Sequence, residues 1–238
     1  MNRKKYVVIM AAGSGSRMGA QMPKQFLEIG GKMILHRTIE AFLEADPELG
    51  VIVVLPEHFI DYWKRYCYEN NFSYPQVLVK GGFTRFHSVK NALDKVPAGT
   101  LVAIHDGVRP LVTPDLIRNL FRCAEKSSAV VPVVPCVDTM KALQKKVWDD
   151  GSESYFPIPD MAVDRSVLYG AQTPQVFHSG LLKSAYGQAY DTAFTDDASV
   201  VEKYGTSPSF VIGERLNIKV TTPEDLILAE AILRIREA

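Results

Sequence analysis

Short apolar runs alternate along the chain with longer stretches whose apolar residues recur every three or four positions. The first pattern reads as strands buried on both faces, the second as amphipathic helices. On that basis Tyr6–Met10, Val51–Leu55, Gln76–Val79, Leu101–His105 and Ala129–Val134 are expected strands. Between them, Leu35–Glu44, Phe59–Asn70, Phe83–Val96 and Pro114–Lys126 are expected helices, with Val89, Leu93 and Val96 on one face of the third. Such alternation predicts an α/β fold: a mostly parallel sheet covered by helices on both faces, joined by right-handed crossovers. Ligands in such sheets bind at the carboxyl ends of the strands.

The alternation stops between Asp138 and Asp164. Thr139–Leu143 and Tyr155–Ile158 read as two strands around the turn signal Trp148-Asp149-Asp150-Gly151-Ser152, giving an inserted β-hairpin arm. A two-stranded ribbon is marginal alone, so the arm is expected to pack on a second subunit; a surface loop is the alternative. Further on, Leu181–Tyr190 and Ala198–Tyr204 are expected helices, and Ser209–Ile212 and Asn217–Val220 expected strands. Thr222-Pro223-Glu224-Asp225 carries an N-cap, a proline at the first helical position and an acid at the third.

Composition narrows the classes. With 238 residues and 47% hydrophobic content, the chain is read as one domain, 1–238, bearing the arm at 138–164. Its formal net charge of zero gives no pointer to nucleic acid or an anionic membrane, so any basic site must be local. Cys67, Cys123 and Cys136 are odd in number and lack metal-ligand spacing, which suits a reduced cytoplasmic protein. Met1–Lys5 leads into an apolar run too short for a signal peptide or a membrane span.

Local chemistry centres on the loop after the first strand, Ala11-Ala12-Gly13-Ser14-Gly15-Ser16-Arg17-Met18-Gly19, and on Met22-Pro23-Lys24-Gln25-Phe26. A strand that empties into small residues exposes backbone N–H groups, which bind phosphate oxygens. Arg17 and Lys24 add two cations, and Pro23 fixes the backbone beside Lys24. The loop is one residue too long for a dinucleotide fingerprint and no acid follows the second strand at the usual place. It also lacks the Gly-Lys-Ser/Thr of a P-loop. A polyphosphate cradle and an ordinary turn with two solvated cations remain as readings.

Other strand ends carry candidates. Gly81-Gly82 allows close approach of a flat ring, with Ser88 able to bond a base or sugar; a tight turn before a helix explains the glycines equally well. In His105-Asp106-Gly107-Val108-Arg109-Pro110, Asp106 suits a magnesium ion or a ribose hydroxyl, and Arg109 a phosphate, the alternative being a mutual salt bridge. His105 is read as structural. Lys219, within a β-branched run, is expected to face a cleft or a partner charge. Thr195-Asp196-Asp197-Ala198-Ser199 reads first as a capped helix start, and Arg165 as a solvated charge or a phosphate ligand on the arm. No Ser or Cys has a recognisable nucleophile context and no His/Cys cluster has metal spacing. Cations and backbone donors around phosphates remain, which is how nucleotidyl transfer is catalysed.

These segments, with Asp138-Thr139-Met140-Lys141, Asp164-Arg165, Thr173-Pro174-Gln175 and Asn217-Ile218-Lys219-Val220-Thr221, occur in one order over essentially the whole chain. That order resembles the 2-C-methyl-D-erythritol 4-phosphate cytidylyltransferase family of the non-mevalonate isoprenoid pathway. The ribitol-5-phosphate cytidylyltransferases share many of the motifs. The resemblance implies a three-layer Rossmann-like nucleotidyltransferase fold, a homodimer through the arm, magnesium, and transfer from CTP to a polyol phosphate with release of pyrophosphate. By motif, Arg17, Lys24 and Lys219 would be catalytic. Ala11, Ala12, Gly13, Gly82, Ser88 and Asp106 would line the nucleotide site. Gly107, Arg109, Thr139, Arg165 and Thr195 would face the acceptor, Arg165 from the partner subunit, and Asp106 would be the one protein ligand considered for the metal. Phe83 stands where an acid is often found, Gly107 where alanine is common, and Leu216 where an aspartate can occur. The arm also looks longer than usual. A non-catalytic nucleotide-binding module on the same fold is the rival from another class; a nicotinamide-dependent oxidoreductase is disfavoured by the glycine spacing.

Overall fold

The structure, a computed structural model, describes residues 3–13 and 22–237. It opens with β1 (Lys5–Met10), then the short ribbon β2 (Glu28–Ile29) and β3 (Lys32–Met33), and α1 (Ile34–Ala45). β4 (Gly50–Leu55), α2 (Ile60–Glu69), β5 (Gln76–Lys80), α3 (Arg85–Leu93), β6 (Leu101–Asp106), α4 (Pro114–Ala124) and β7 (Ala129–Pro135) follow. The arm strands are β8 (Leu143–Val147) and β9 (Glu153–Pro157). β10 (Tyr169–Ala171), β11 (Gln175–His178), α5 (Ser179–Ala185), α6 (Asp197–Lys203), β12 (Ser209–Ile212) and α7 (Pro223–Glu237) complete the chain.

β6, β1, β4 and β5 lie side by side and parallel, and β12 pairs parallel with β7. β11 runs antiparallel between β6 and β7, and β10 continues along the same edge of β7. The chain moves outward from β1 through β4 to β5, then returns to place β6 on the other side of β1. That reversal opens a crevice at the carboxyl ends of β1 and β6.

Strand alternation divides the core. Val7, Ile9, Val51, Val53, Leu101 and Ala103 pack with α1, α2 and α4 on one face. Val8, Ile52, Val54, Val102 and Ile104 pack with α3, α5 and α6 on the other. Residues i and i+2 thus share a layer, and both layers are apolar, which is why the central strands read as unbroken hydrophobic runs. A third cluster seats α7 through Ala229 and Ile232 against Ile29, Val108, Leu111 and Val220.

Several boundaries differ from expectation for visible reasons. α3 starts at Arg85 rather than Phe83, because the Thr84 hydroxyl caps the helix by accepting from the His87 N–H. The arm strands lie at 143–147 and 153–157, closer to the turn than expected, where five consecutive residue pairs hold register. Asn217–Val220 is not a strand: the carbonyl of Asn217 accepts from Arg109 and Gln172 side chains instead of a ladder. β10 and β11 were not expected, being short and bounded by polar residues. The caps of α6 and α7 form as read, with Asp196 and Ser199 bonded reciprocally and Thr222 with Asp225 likewise. No helix among the described residues is long and apolar enough to cross a membrane.

Candidate active site

A cleft of about 490 Å³ opens at the crevice between β1 and β6. Its walls bring together Ala11, Ala12, Gly13, Lys24, Gly82, Ser88, Asp106 and Lys219. These residues come from three separate strand ends, a 3₁₀ turn and one late loop, so only the folded sheet unites them. Arg17 lies outside the described residues.

The floor is tightly built. The Ala11 N–H donates to the Val54 carbonyl at 2.9 Å, continuing the sheet into the loop. The buried Gln25 amide donates to the carbonyls of Ala11 at 2.7 Å and Gly13 at 3.2 Å. With those carbonyls engaged from behind, the loop backbone is held in one shape. Lys24 opens a single 3₁₀ turn after the buried Pro23, and the Phe26 ring of that turn packs tilted against Phe59 and edge-on against Tyr62, at 4.9 and 5.4 Å between centroids. The cation is therefore carried on an anchored element.

Glycine is required at two walls. A Cβ on Gly81 would lie 2.6 Å from that of Ala12, and one on Gly82 the same distance from that of His87. The two loops meet closely because there is no side chain between them. The Gly82 N–H donates to Ser88 Oγ at 2.9 Å. Gly107 packs beneath the loop, where a Cβ would find Ala11, Ile9 and the Met10 carbonyl all at 3.1 Å.

Asp106 is the electrostatic centre. Lys219 Nζ approaches its carboxylate at 3.0 Å and Arg109 Nε at 3.2 Å. Burial would raise this carboxyl, but Lys219, Arg85 and Arg109 outweigh it and hold the group well below the usual carboxylate range. The salt bridge considered from sequence thus exists, and it includes Lys219. The Arg109 guanidinium also donates to the Asn217 carbonyl at 2.8 Å, and the Asn217 amide donates to the Thr173 carbonyl at 2.9 Å. These bonds fasten the segment that carries Lys219.

His105 beneath Asp106 is fully buried and structural, as read. The Asp106 N–H donates to Thr173 Oγ1 at 3.0 Å, that hydroxyl lies 3.1 Å from His105 Nδ1, and His105 Nε2 lies 3.3 Å from the Arg109 carbonyl. One neutral tautomer satisfies the chain, with Nδ1 accepting and Nε2 donating. Burial pushes the imidazole down to about 3, which agrees with that neutral form.

Sequence reasoning passed over Arg85 and Gln25, which both line the cleft. Arg85 forms a two-pronged pair with the fully buried Asp197, at 2.9 and 2.5 Å, and the Tyr186 hydroxyl donates to the same carboxylate at 2.6 Å. Arg85 stands in the Gly82–Ser88 segment already singled out, but its partner lies 112 residues away. Gln25 adjoined Lys24 in the motif and gave the nearer signal.

Thr139, Arg165 and Thr195 are not brought to this cleft; all three are exposed. Arg165 donates to the Val137 carbonyl at 2.9 Å, and the Thr195 N–H donates to Ser199 Oγ at 3.1 Å within the helix cap. The arm is exposed along both strands, and Leu143, Val147, Tyr155 and Phe156 stand in solvent. Among the described residues there is no group of three or more His, Cys, Asp or Glu placed to hold a metal.

The arrangement offers an anion cradle, fixed cations and a buried carboxylate at a sheet switch point, with backbone of two loops in contact. The family described as 2-C-methyl-D-erythritol 4-phosphate cytidylyltransferase matches residues 6–235. A protein of that name from Bacteroides thetaiotaomicron is 48% identical over 230 residues, covering 97% of this chain and all of the relative. One from Geobacter metallireducens is 38% identical over 96% of this chain and 97% of its own length. A crystal structure of the Thermus thermophilus protein of that name superposes with a TM-score of 0.71 at 31% identity, covering 97% and 99% of the two chains. That of 4-diphosphocytidyl-2C-methyl-D-erythritol synthase from Anaerococcus prevotii gives 0.78 at 28% identity, over 98% and 100%.

Proposed function

The chain belongs to the 2-C-methyl-D-erythritol 4-phosphate cytidylyltransferase family, and from that premise we propose how its cleft performs the reaction. The enzyme is a nucleotidyltransferase of isoprenoid precursor synthesis. CTP and 2-C-methyl-D-erythritol 4-phosphate give CDP-methylerythritol and pyrophosphate. The observation that carries the local reading is the convergence of Lys24, Lys219, Asp106 and the Ala11–Gly13 backbone on one cleft.

The attacking group is a phosphate monoester oxygen of the acceptor. Its second pKa, about 6, leaves it anionic at neutral pH, so no general base is required. The obstacle is repulsion between that anion and the triphosphate. Lys24, with Arg17 seven residues before it in sequence, offsets charge on the triphosphate and on the leaving pyrophosphate. Lys219 approaches the acceptor phosphate and the α-phosphate. Asp106 holds Lys219 and Arg109 in place, so neither long side chain has to be ordered during the reaction. Ser88 and the Gly82 backbone line the base and ribose, and Gly107 and Arg109 the acceptor side.

Magnesium fits this donor set. A small hard cation binds through one or two carboxylates and the phosphates of its nucleotide, without a protein cage. Asp106 is the carboxylate at hand, although two cations already approach it. When bound, the ion would supply charge neutralisation at the triphosphate.

The arm forms a sheet of its own, and its exposed Leu143, Val147, Tyr155 and Phe156 favour coverage by a second copy of the chain. In such a homodimer Arg165 and Thr139 reach the acceptor of the neighbouring subunit. Three unpaired cysteines fit a cytoplasmic enzyme. The test is pyrophosphate release from CTP with methylerythritol 4-phosphate, ribitol 5-phosphate and glycerol 3-phosphate as acceptors. Release with the first and little with the others is expected. Release with none would favour a non-catalytic nucleotide-binding module.

A further inference from the structure

Phe83 lines the cleft, yet none of the roles above uses it. The residue is fully exposed, at 102% of the reference value. It is the single aromatic side chain among the described residues of the cleft wall. The backbone that carries it is held on both sides. Before it, the Gly82 N–H is bonded to Ser88 Oγ, and Gly82 has no room for a Cβ. After it, Thr84 caps α3. The ring is thus presented from a fixed position in the same wall as Ser88.

A phenyl ring in water at the rim of a cleft gains free energy when a flat, weakly hydrated surface covers it. A nucleobase is such a surface, and its stacking on an aromatic side chain depends little on which base it is. We propose that Phe83 is the base-stacking residue of the nucleotide site, its ring covering the pyrimidine of bound CTP. This rests on the cytidylyl-transfer reading and deepens it. A π face offers no hydrogen-bond donor or acceptor to the base edge. Phe83 therefore adds affinity to CTP and UTP alike and leaves their discrimination to Ser88 and the loop backbone.

The experiment is calorimetric binding of CTP, UTP and inorganic tripolyphosphate, without acceptor, to the parent protein and to F83A, F83Y and F83W. F83A is expected to weaken CTP and UTP by a similar factor, about tenfold to a hundredfold, the scale of stacking losses on alanine substitution. Tripolyphosphate, which has no base, should bind F83A and the parent equally. F83Y and F83W should keep CTP affinity near the parent's, and the emission added by F83W should be quenched by CTP but not by tripolyphosphate. Unchanged CTP binding by F83A overturns the inference, as does an equal loss for tripolyphosphate, which would mean that the loop had moved. Failure of the parent itself to bind CTP overturns the cytidylyl-transfer reading and this inference with it.

Discussion

The cleft and the arm handle their charged and apolar groups in opposite ways. In the cleft, buried groups find partners within the chain: Asp106 with Lys219 and Arg109, Asp197 with Arg85 and Tyr186, Gln25 with two loop carbonyls. In the arm, apolar side chains stand in solvent and Arg165 rests on a nearby carbonyl. The cleft is a half-site held in shape by these pairings. The arm has an exposed apolar surface, which the proposed homodimer would cover. Preorganised charge needs the first condition and exchange of side chains between subunits needs the second.

The sharpest blow to the cleft is removal of Arg85. R85L would leave Asp197 charged and buried with only Tyr186 as partner, a class of change that costs about 3–5 kcal/mol. Urea unfolding should show that loss, whereas a parental midpoint would mean that the pair is not part of what holds the cleft. Lys24→Ala should lower kcat by about 10² or more, the scale for losing one transition-state donor, with little change in urea stability. Near-normal turnover would remove Lys24 from the chemistry. For the arm, Arg165→Ala should raise KM for the acceptor by about tenfold, as loss of a charged contact does, and leave KM for CTP unchanged. Mixing K24A with R165A subunits breaks or sharpens the contrast directly. If Arg165 acts across the dimer, one site of each hybrid is intact and activity returns; if it acts within its own chain, no site is whole.

The last expected effect is on acid stability and is confined to low pH. His105 is neutral in the folded chain down to about 3, against an ordinary value of 6.5. Between those values the unfolded chain binds a proton that the folded chain does not. Stability therefore falls as pH falls through that window. His105→Gln, which cannot take up that proton, should flatten the fall in Tm between pH 6.5 and 3. A parental slope would assign the acid sensitivity to other groups.

Legibility followed burial and sequence distance. β1, β4, β6 and β7 could be read because both faces of each are covered, which forces continuous apolar runs. The Ala11–Gly13 loop and the glycine pair could be read because close backbone approach selects small residues. β11 escaped because four residues with polar ends give no period to recognise. Lys219 was expected on a strand and sits instead on a loop tied by Arg109 and Gln172, bonds invisible to local pattern.

By itself the sequence determined the layer architecture, the close approach of the two glycine-bearing loops and, through the order of its motifs, the family. Those depend on hydrophobic period, backbone freedom and residue type, which are local properties. Only the tertiary structure decided that Arg85 is spoken for by Asp197, that Asp106 binds two cations together, and that Phe83 stands uncovered in the cleft wall. Each of these depends on which distant segments the sheet brings within a few ångströms, and on which side chains are left without cover once it has done so.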